Sequence, residues 1–295
     1  MKLLLTGKNG QLGFELARTL APLGDVLALD RGGCDLSDPD SICRAIQSYK
    51  PDVVVNAAAY TAVDRAESRP DDAHAINAHA VGVIGEEAQK INGRVIHFST
   101  DYVFDGTASR PYTELDTPNP LSVYGRSKLA GELALQRSGA SHLILRTSWV
   151  VGAHGGNFVR TILRLARERD RLEVVDDQIG APTSAALLAE VTAAILPKLT
   201  QEPRLAGLYH LTASGETSWY RLAQHVLRVA IAHGAVLRAP PESVVPISSQ
   251  AYAAAATRPL NSRLDCTKLR TAFGIELPHW ETALQPVLDE ILRTP

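Results

Sequence analysis

Gly7-Lys8-Asn9-Gly10-Gln11-Leu12-Gly13 follows directly on the apolar run Lys2–Thr6 and opens a stretch, Gln11–Leu23, whose leucines recur at Leu12, Leu16 and Leu20. The run predicts a buried strand, and the leucine period predicts a helix. Between them lies G-x-x-G-x-x-G. Gly7 permits a sharp turn, Gly10 lets the backbone approach a pyrophosphate, and Gly13 lets the helix pack closely on the strand. The first N–H groups of such a helix have no partner within it and receive an anion. Glycines also serve ordinary turns. The position right after a first strand makes dinucleotide binding the stronger reading.

Working outward, the same rhythm repeats. Strands are expected at Val26–Asp30, Asp52–Asn56, Arg94–Ser99 and His142–Thr147, and helices at Pro39–Tyr49, Ala73–Ile91 and Leu121–Gln136. Strands alternating with helices imply an α/β fold: a doubly wound, Rossmann-like parallel sheet with right-handed connections. After about Trp149 the rhythm loosens. Helices are expected at Asn157–Arg169, Thr183–Pro197, Trp219–His233, Asp265–Phe273 and Trp280–Leu292, with a short strand at Leu208–Thr212. Pro240–Pro259, rich in Pro, Ser and Ala, reads as loop. The expected division is a dinucleotide-binding domain over 1–150 and a smaller C-terminal substrate-binding lobe over 151–295. Some segments of the lobe are expected to return to the first domain.

Composition narrows the function classes. The chain has 295 residues, 45% of them hydrophobic, enough for a sizeable core. A net charge of -2 leaves no basic footprint for nucleic acid. Cys34, Cys43 and Cys266 lack C-x-x-C spacing, which speaks against a disulfide framework or zinc site and for a reducing cytoplasm. No apolar run suits a signal peptide or a membrane span.

Asp30 ends the second expected strand at about the separation of a ribose-binding acid. Its carboxylate favours NADH, whereas Arg31 beside it suits the 2′-phosphate of NADPH; the two together fit use of both. A solvated strand end is the alternative for Asp30. Tyr124-Gly125-Arg126-Ser127-Lys128 is a Y-x-x-x-K at a helix start. That spacing puts Tyr124 and Lys128 on one face. An ammonium beside a phenol favours the phenolate and lowers its pKa. A tyrosine tuned in this way is a general acid for the oxygen of a carbonyl under reduction, and the lysine is placed to hold a nicotinamide ribose. A surface helix pair is the alternative. Ser99 and Thr100 sit at the carboxyl end of the fourth strand, where open α/β sheets bind ligands. The Thr100 hydroxyl would bond the substrate oxygen or the Tyr124 phenol; a turn-forming Ser-Thr-Asp cluster is the alternative.

These stretches together, with Asn56-Ala57-Ala58-Ala59-Tyr60-Thr61, Ser99-Thr100-Asp101-Tyr102-Val103-Phe104, Arg146-Thr147-Ser148-Trp149, Asp177–Thr183 and Arg258–Asp265, resemble the dTDP-4-dehydrorhamnose reductases, which are extended short-chain dehydrogenases/reductases. The resemblance spans essentially the whole chain. It implies reduction of the C4 keto group of dTDP-4-dehydro-β-L-rhamnose to dTDP-β-L-rhamnose, a donor for surface polysaccharide. It implies that Gly10, Gln11 and Leu12 hold the pyrophosphate and Asp30 the ribose, that Asp35 and Leu36 flank the adenine, and that Ala59, Tyr60 and Thr61 line the nicotinamide half. Thr100 and Asp101 would touch substrate, Tyr124 would donate the proton, and Trp149 would contact the sugar, although a core tryptophan is its alternative. Arg258 and Arg263 would suit a diphosphate or equally a surface ion pair. The resemblance also implies a homodimer and, in some members, Mg²⁺. Glu15 and Glu190 are the carboxylates that come into question, but lone glutamates are mostly solvated and no metal site is assigned. His97, His154 and His210 show no metal spacing and read as packing or solvated residues. Two other functions stay open. A sugar-nucleotide epimerase would share the turn and the tyrosine but keep NAD⁺ bound. A regulatory subunit would bind NADP without turnover, against which the intact Thr100, Tyr124 and Lys128 argue.

Overall fold

In the computed structural model, which describes residues 1–293, the chain runs β1 (Lys2–Thr6), α1 (Gln11–Leu20), β2 (Asp25–Leu29), α2 (Pro39–Tyr49), β3 (Val53–Asn56), α3 (Val63–Ser68), α4 (Pro70–His74), α5 (Ala80–Lys90), β4 (Arg94–Thr100), α6 (Val123–Arg137) and β5 (Ser141–Thr147). It continues through β6 (Val150–Val151), α7 (Phe158–Glu168), β7 (Leu172–Val175), β8 (Ile179–Gly180), β9 (Thr183–Ser184), α8 (Ala185–Gln201), β10 (Gly207–His210), β11 (Thr217–Ser218), α9 (Trp219–Ala232), β12 (Val244–Ile247), α10 (Ser249–Tyr252), α11 (Thr267–Phe273) and α12 (Trp280–Arg293). Thr294 and Pro295, the end of the expected second lobe, lie outside the described residues.

Six parallel strands form the central sheet in the order β10-β5-β4-β3-β1-β2. Period two sends alternate residues to opposite faces. Leu3, Leu5, Val53 and Val55 enter one core with α1, α7, α8 and α9, while Leu4, Val54 and Val95 enter another with α2 and α5. Both faces are therefore covered, as parallel sheets require. The chain leaves β1 toward β2 on one side and resumes at β3 on the other. That switch point lies at the carboxyl ends of β1 and β3, where such sheets bind ligands.

The structure corrects several expectations. The helix foreseen over Ala73–Ile91 forms but widens part-way: α4 runs to His74, a π-helical turn spans Ala75–His79, and α5 carries the helix on from Ala80. Asn77 in that turn exchanges hydrogen bonds with the backbone of Tyr60 and donates to the Ser127 hydroxyl, all within 2.8–3.0 Å. Tertiary bonds thus override local periodicity. The helix foreseen from Gln11 stops at Leu20, because Ala21-Pro22-Leu23 turns more tightly. Thr183 and Ser184 are strand, and Ser184 caps α8 by accepting from the Leu187 N–H. Pro240–Pro259 is not all loop. It holds β12 and α10, and β12 pairs in parallel with β7, itself unforeseen. Pro246 is tolerated there because this two-stranded pair leaves one strand edge without a ladder.

Candidate active site

A cavity of about 730 Å³ opens at the carboxyl ends of the central strands. Gly7, Gly10, Gln11, Leu12, Ala59, Thr61, Thr100, Asp101, Tyr124, Lys128 and Trp149 line it. The glycine turn makes one end. Gly7 adopts φ +80° and its N–H donates to Leu29 O at 2.9 Å, tying the turn to β2. A Cβ on Gly13 would lie 1.9 Å from Gly7 O, so only glycine lets α1 start this close to the turn. No side chain caps α1. Its first N–H groups therefore remain to receive an anion, and a dinucleotide pyrophosphate fits the cradle. The Gln11 side chain faces away from that task. Its Oε1 accepts from Gly152 N at 2.7 Å and from Asn157 Nδ2 at 2.9 Å, and so fastens the turn to the C-terminal lobe.

Gly13, Asp30, Asp35, Leu36 and Tyr60 do not line this cavity. The Asp30 carboxylate accepts from the Gly32 and Gly33 N–H groups and pairs with Lys8 at 3.2 Å, which holds it below the usual carboxylate range. Asp35 accepts from the N–H and hydroxyl of Ser37 and from Arg31 Nε. Leu36 is buried in the core beside α2. Tyr60 packs with Ala66, Ala73 and Val123. Arg258 is paired with Asp64 at 2.7 Å and Arg263 with Glu216 at 2.9 Å, so neither faces the cavity with a free charge.

At the centre stand Thr100, Tyr124 and Lys128. Ser122 caps α6 by accepting from the Gly125 N–H at 3.1 Å, which starts the helix just ahead of Tyr124. Tyr102 meets the Tyr124 ring edge-on at 5.4 Å. Desolvation lifts the Tyr124 phenol well above its ordinary value, offset in part by its hydrogen bond with the Thr100 side chain. The expected lowering by Lys128 does not occur in this structure. Lys128 Nζ turns inward and donates to Phe98 O at 2.6 Å, with His97 Nε2 at 3.3 Å. Sharing a helix face did not put the ammonium on the phenol, because a backbone carbonyl at the end of β4 competes for it. Burial brings Lys128 down to about 8, against a raising influence from Glu132. Glu132 is spent on Arg146 through two bonds of 2.8 and 2.6 Å, a buried bidentate pair joining α6 to β5. Asp101 is fully enclosed, accepts from the Thr100 hydroxyl at 3.0 Å, and is raised by burial to about 6.

Trp149 closes the other end. It holds φ +48°, costly for a bulky side chain. Its indole stacks on Trp219, with centroids 3.6 Å apart and planes 13° from parallel. A Cβ on Gly180 would sit 2.7 Å from the Trp149 ring, so the ring rests on bare backbone. Trp219 Nε1 donates to Gln178 Oε1 at 3.1 Å, and Gln178 Nε2 donates to Ser249 Oγ at 2.9 Å. Trp219 lines the cavity, yet the sequence reading expects it only as a helix start and not as a site residue. It begins α9, far along the chain, and no motif surrounds it. Its pairing with Trp149 appears only in three dimensions.

No cluster of His, Cys, Asp or Glu able to hold a metal exists among the described residues. Glu15 is buried and spends its carboxylate on Arg18 at 2.9 Å, so Mg²⁺ finds no support here. No helix among the described residues is long and apolar enough to cross a membrane.

The family model described as RmlD substrate binding domain matches residues 1–293. A dTDP-4-dehydrorhamnose reductase of Escherichia coli K12 is 47% identical over 100% of this chain and 99% of its own. The chain belongs to this reductase family. A crystal structure of a dTDP-4-dehydrorhamnose reductase from Clostridium acetobutylicum has TM-score 0.89 at 35% identity, covering 98% of this chain and 99% of that one. One from Bacillus anthracis in complex with NADP has TM-score 0.89 at 34% identity, with the same coverage.

Proposed function

We propose that this member of the family reduces the C4 keto group of dTDP-4-dehydro-β-L-rhamnose to dTDP-β-L-rhamnose. The observation that carries this is the convergence of Thr100, Tyr124 and Lys128 on one cavity with the uncapped start of α1. A bound NADPH or NADH would supply the hydride. Gly7, Gly10 and the first N–H groups of α1 would hold its pyrophosphate, with Ala59 and Thr61 beside the nicotinamide half. Asp30, Asp35 and Leu36 would serve the adenosine half, and there Asp30 must share its carboxylate with Lys8. NADP in the B. anthracis relative supports a nicotinamide cofactor.

Desolvation keeps the Tyr124 phenol protonated across the physiological range. It therefore acts as a proton donor to the ketone oxygen as negative charge develops there. Thr100 orients the phenol, and Asp101 and Trp149 face the sugar. The Lys128 ammonium would contribute positive charge near the reacting oxygen and would hold the nicotinamide ribose. The domain over 1–150 would carry the dinucleotide and the lobe over 151–295 would carry most of the sugar contacts.

Mixing the pure protein with NADPH or NADH and dTDP-4-dehydro-β-L-rhamnose should consume the reduced nicotinamide. An epimerase would carry tight NAD⁺ and show no net consumption, and a regulatory subunit would show no turnover. Tyr124→Phe should lower kcat by about 10²–10⁴ with NADPH affinity retained; unchanged turnover refutes the assignment. The reaction should also fade above about pH 8, where the free enzyme's Lys128 gives up its proton. The depressed value means that the ammonium is present below this pH and lost as pH rises through it. A kcat/KM profile flat to pH 10 would exclude the ammonium's role. The homodimer is tested by light scattering, with a monomer mass refuting it.

A further inference from the structure

Thr6, Asn56 and His97 lie side by side across β1, β3 and β4, in the register Thr6↔Asn56 and Asn56↔His97. All three are buried, His97 completely. The row is apolar at both ends, with Leu29 beyond Thr6 and Ile144 beyond His97. Asn56 Nδ2 is 3.1 Å from His97 Nδ1, and the Asn56 amide oxygen is 2.6 Å from the Thr6 hydroxyl. Polar side chains in the centre of a parallel sheet cost free energy unless each is satisfied. Among the described residues this row has one further polar side-chain partner, Lys128 Nζ, 3.3 Å from His97 Nε2. His97 does not line the cavity, whereas Lys128 does.

We propose that His97 is a positioning residue for the reaction: from behind the site it holds the Lys128 ammonium, and it couples the charge on that lysine to the hydrogen-bond direction of the Asn56–Thr6 row. This rests on the reading of Lys128 as a working group of the site.

Proton counting makes the coupling strict. A neutral imidazole has one N–H, and an ammonium only donates. Desolvation, reinforced by the Lys128 charge, keeps His97 neutral. With Lys128 charged, Nε2 must accept, so Nδ1–H donates to the Asn56 amide oxygen and the Asn56 amide N–H turns to Thr6. With Lys128 neutral, Nε2–H donates to Nζ, Nδ1 accepts from Asn56 Nδ2, and the amide oxygen accepts from the Thr6 hydroxyl. The two states differ only by an amide turn and hydrogen positions, so the heavy-atom positions suit both. In each state every link of the row sets a donor against an acceptor. The charges around Lys128 are few. Glu132, one turn on in α6, acts on it and is itself neutralised by Arg146 from β5; Tyr124 lies one turn before.

The test compares alkaline limbs of kcat/KM in His97→Leu and His97→Gln. Leucine leaves the ammonium only Phe98 O, so the limb should move to lower pH by about one unit, the size of one charge-assisted hydrogen bond. Glutamine, which restores an acceptor, should return the limb toward the parent value. A lower kcat with an unmoved limb in both variants means a merely structural His97 and overturns the proposal. Should the variants not fold, ¹⁵N-histidine NMR of the unaltered protein decides. The His97 signals should change from the Nδ1–H to the Nε2–H tautomer across the limb, and a single tautomer throughout overturns it. Lys128→Met separates the two readings. Full activity in that variant sinks the role of Lys128 itself. Lost activity there with an unmoved limb in His97→Leu sinks only the inference about His97.

Discussion

At the Gly7–Gly13 end of the cavity one unbroken stretch makes the binding surface, whereas at the Trp149 end the surface is drawn from well-separated segments. The turn works through backbone: N–H groups, a left-handed Gly7 and a helix start with no side-chain cap. The aromatic wall works through side chains: Trp149 in a strained conformation, Trp219 stacked upon it, Gly180 beneath and Gln178 bonding the Trp219 N–H. This backbone site tolerates little substitution at Gly7 and Gly13, where a Cβ would meet neighbouring backbone at 2.8 and 1.9 Å. A side-chain wall is adjustable, and its geometry is the sum of several weak constraints.

That contrast sets an order of expected effects. Gly13→Val should be the most damaging, since a Cβ 1.9 Å from Gly7 O forces the turn and α1 apart. NADPH affinity should fall by about 100-fold or more, given the ~1–3 kcal/mol cost of overpacking and the lost N–H contacts. Titration of cofactor fluorescence measures it, and affinity within a few-fold of the parent would show that the turn is not the cradle. Trp219→Ala should come next. Removing a stacked partner worth ~0.5–1.5 kcal/mol beyond its buried area should raise KM for the sugar nucleotide about ten-fold. NADPH binding should hold, so a parallel loss of both affinities would deny that the two ends are separate. Gly180→Ala sharpens the comparison. A Cβ 2.7 Å from the Trp149 ring must push the indole aside, giving a KM increase of a few-fold with kcat near the parent value. Lys8→Ala should be the mildest for stability. The Lys8–Asp30 pair is open to solvent on one side, and such pairs add little to stability. The Tm should barely move, while the NADH-to-NADPH preference shifts toward NADH as Asp30 is released to the ribose. An unchanged preference would remove Asp30 from the adenosine end.

Legibility follows the same divide. The turn, the first strands and the placement of Tyr124 and Lys128 at a helix start could all be read from neighbouring residues, and the structure brings Thr100, Tyr124 and Lys128 to one cavity. The partners of those groups could not. Asn77 sits in a π-helical turn that widens its helix, bonded to Tyr60 and Ser127. β12 lies in a Pro-rich stretch and exists because β7 is there to pair with it. Asp35 carries a motif position but is occupied by Ser37 and Arg31.

What the sequence by itself determined is the layered α/β plan and the glycine turn, because strand alternation, helical period and backbone freedom act over a few neighbouring residues. Only the tertiary structure decided that Lys128 turns to Phe98 O and His97 rather than to Tyr124, and that Trp149 meets Trp219. Those contacts join residues remote in the chain, and competition among nearby acceptors and ring faces is settled only when the sheet brings them within reach.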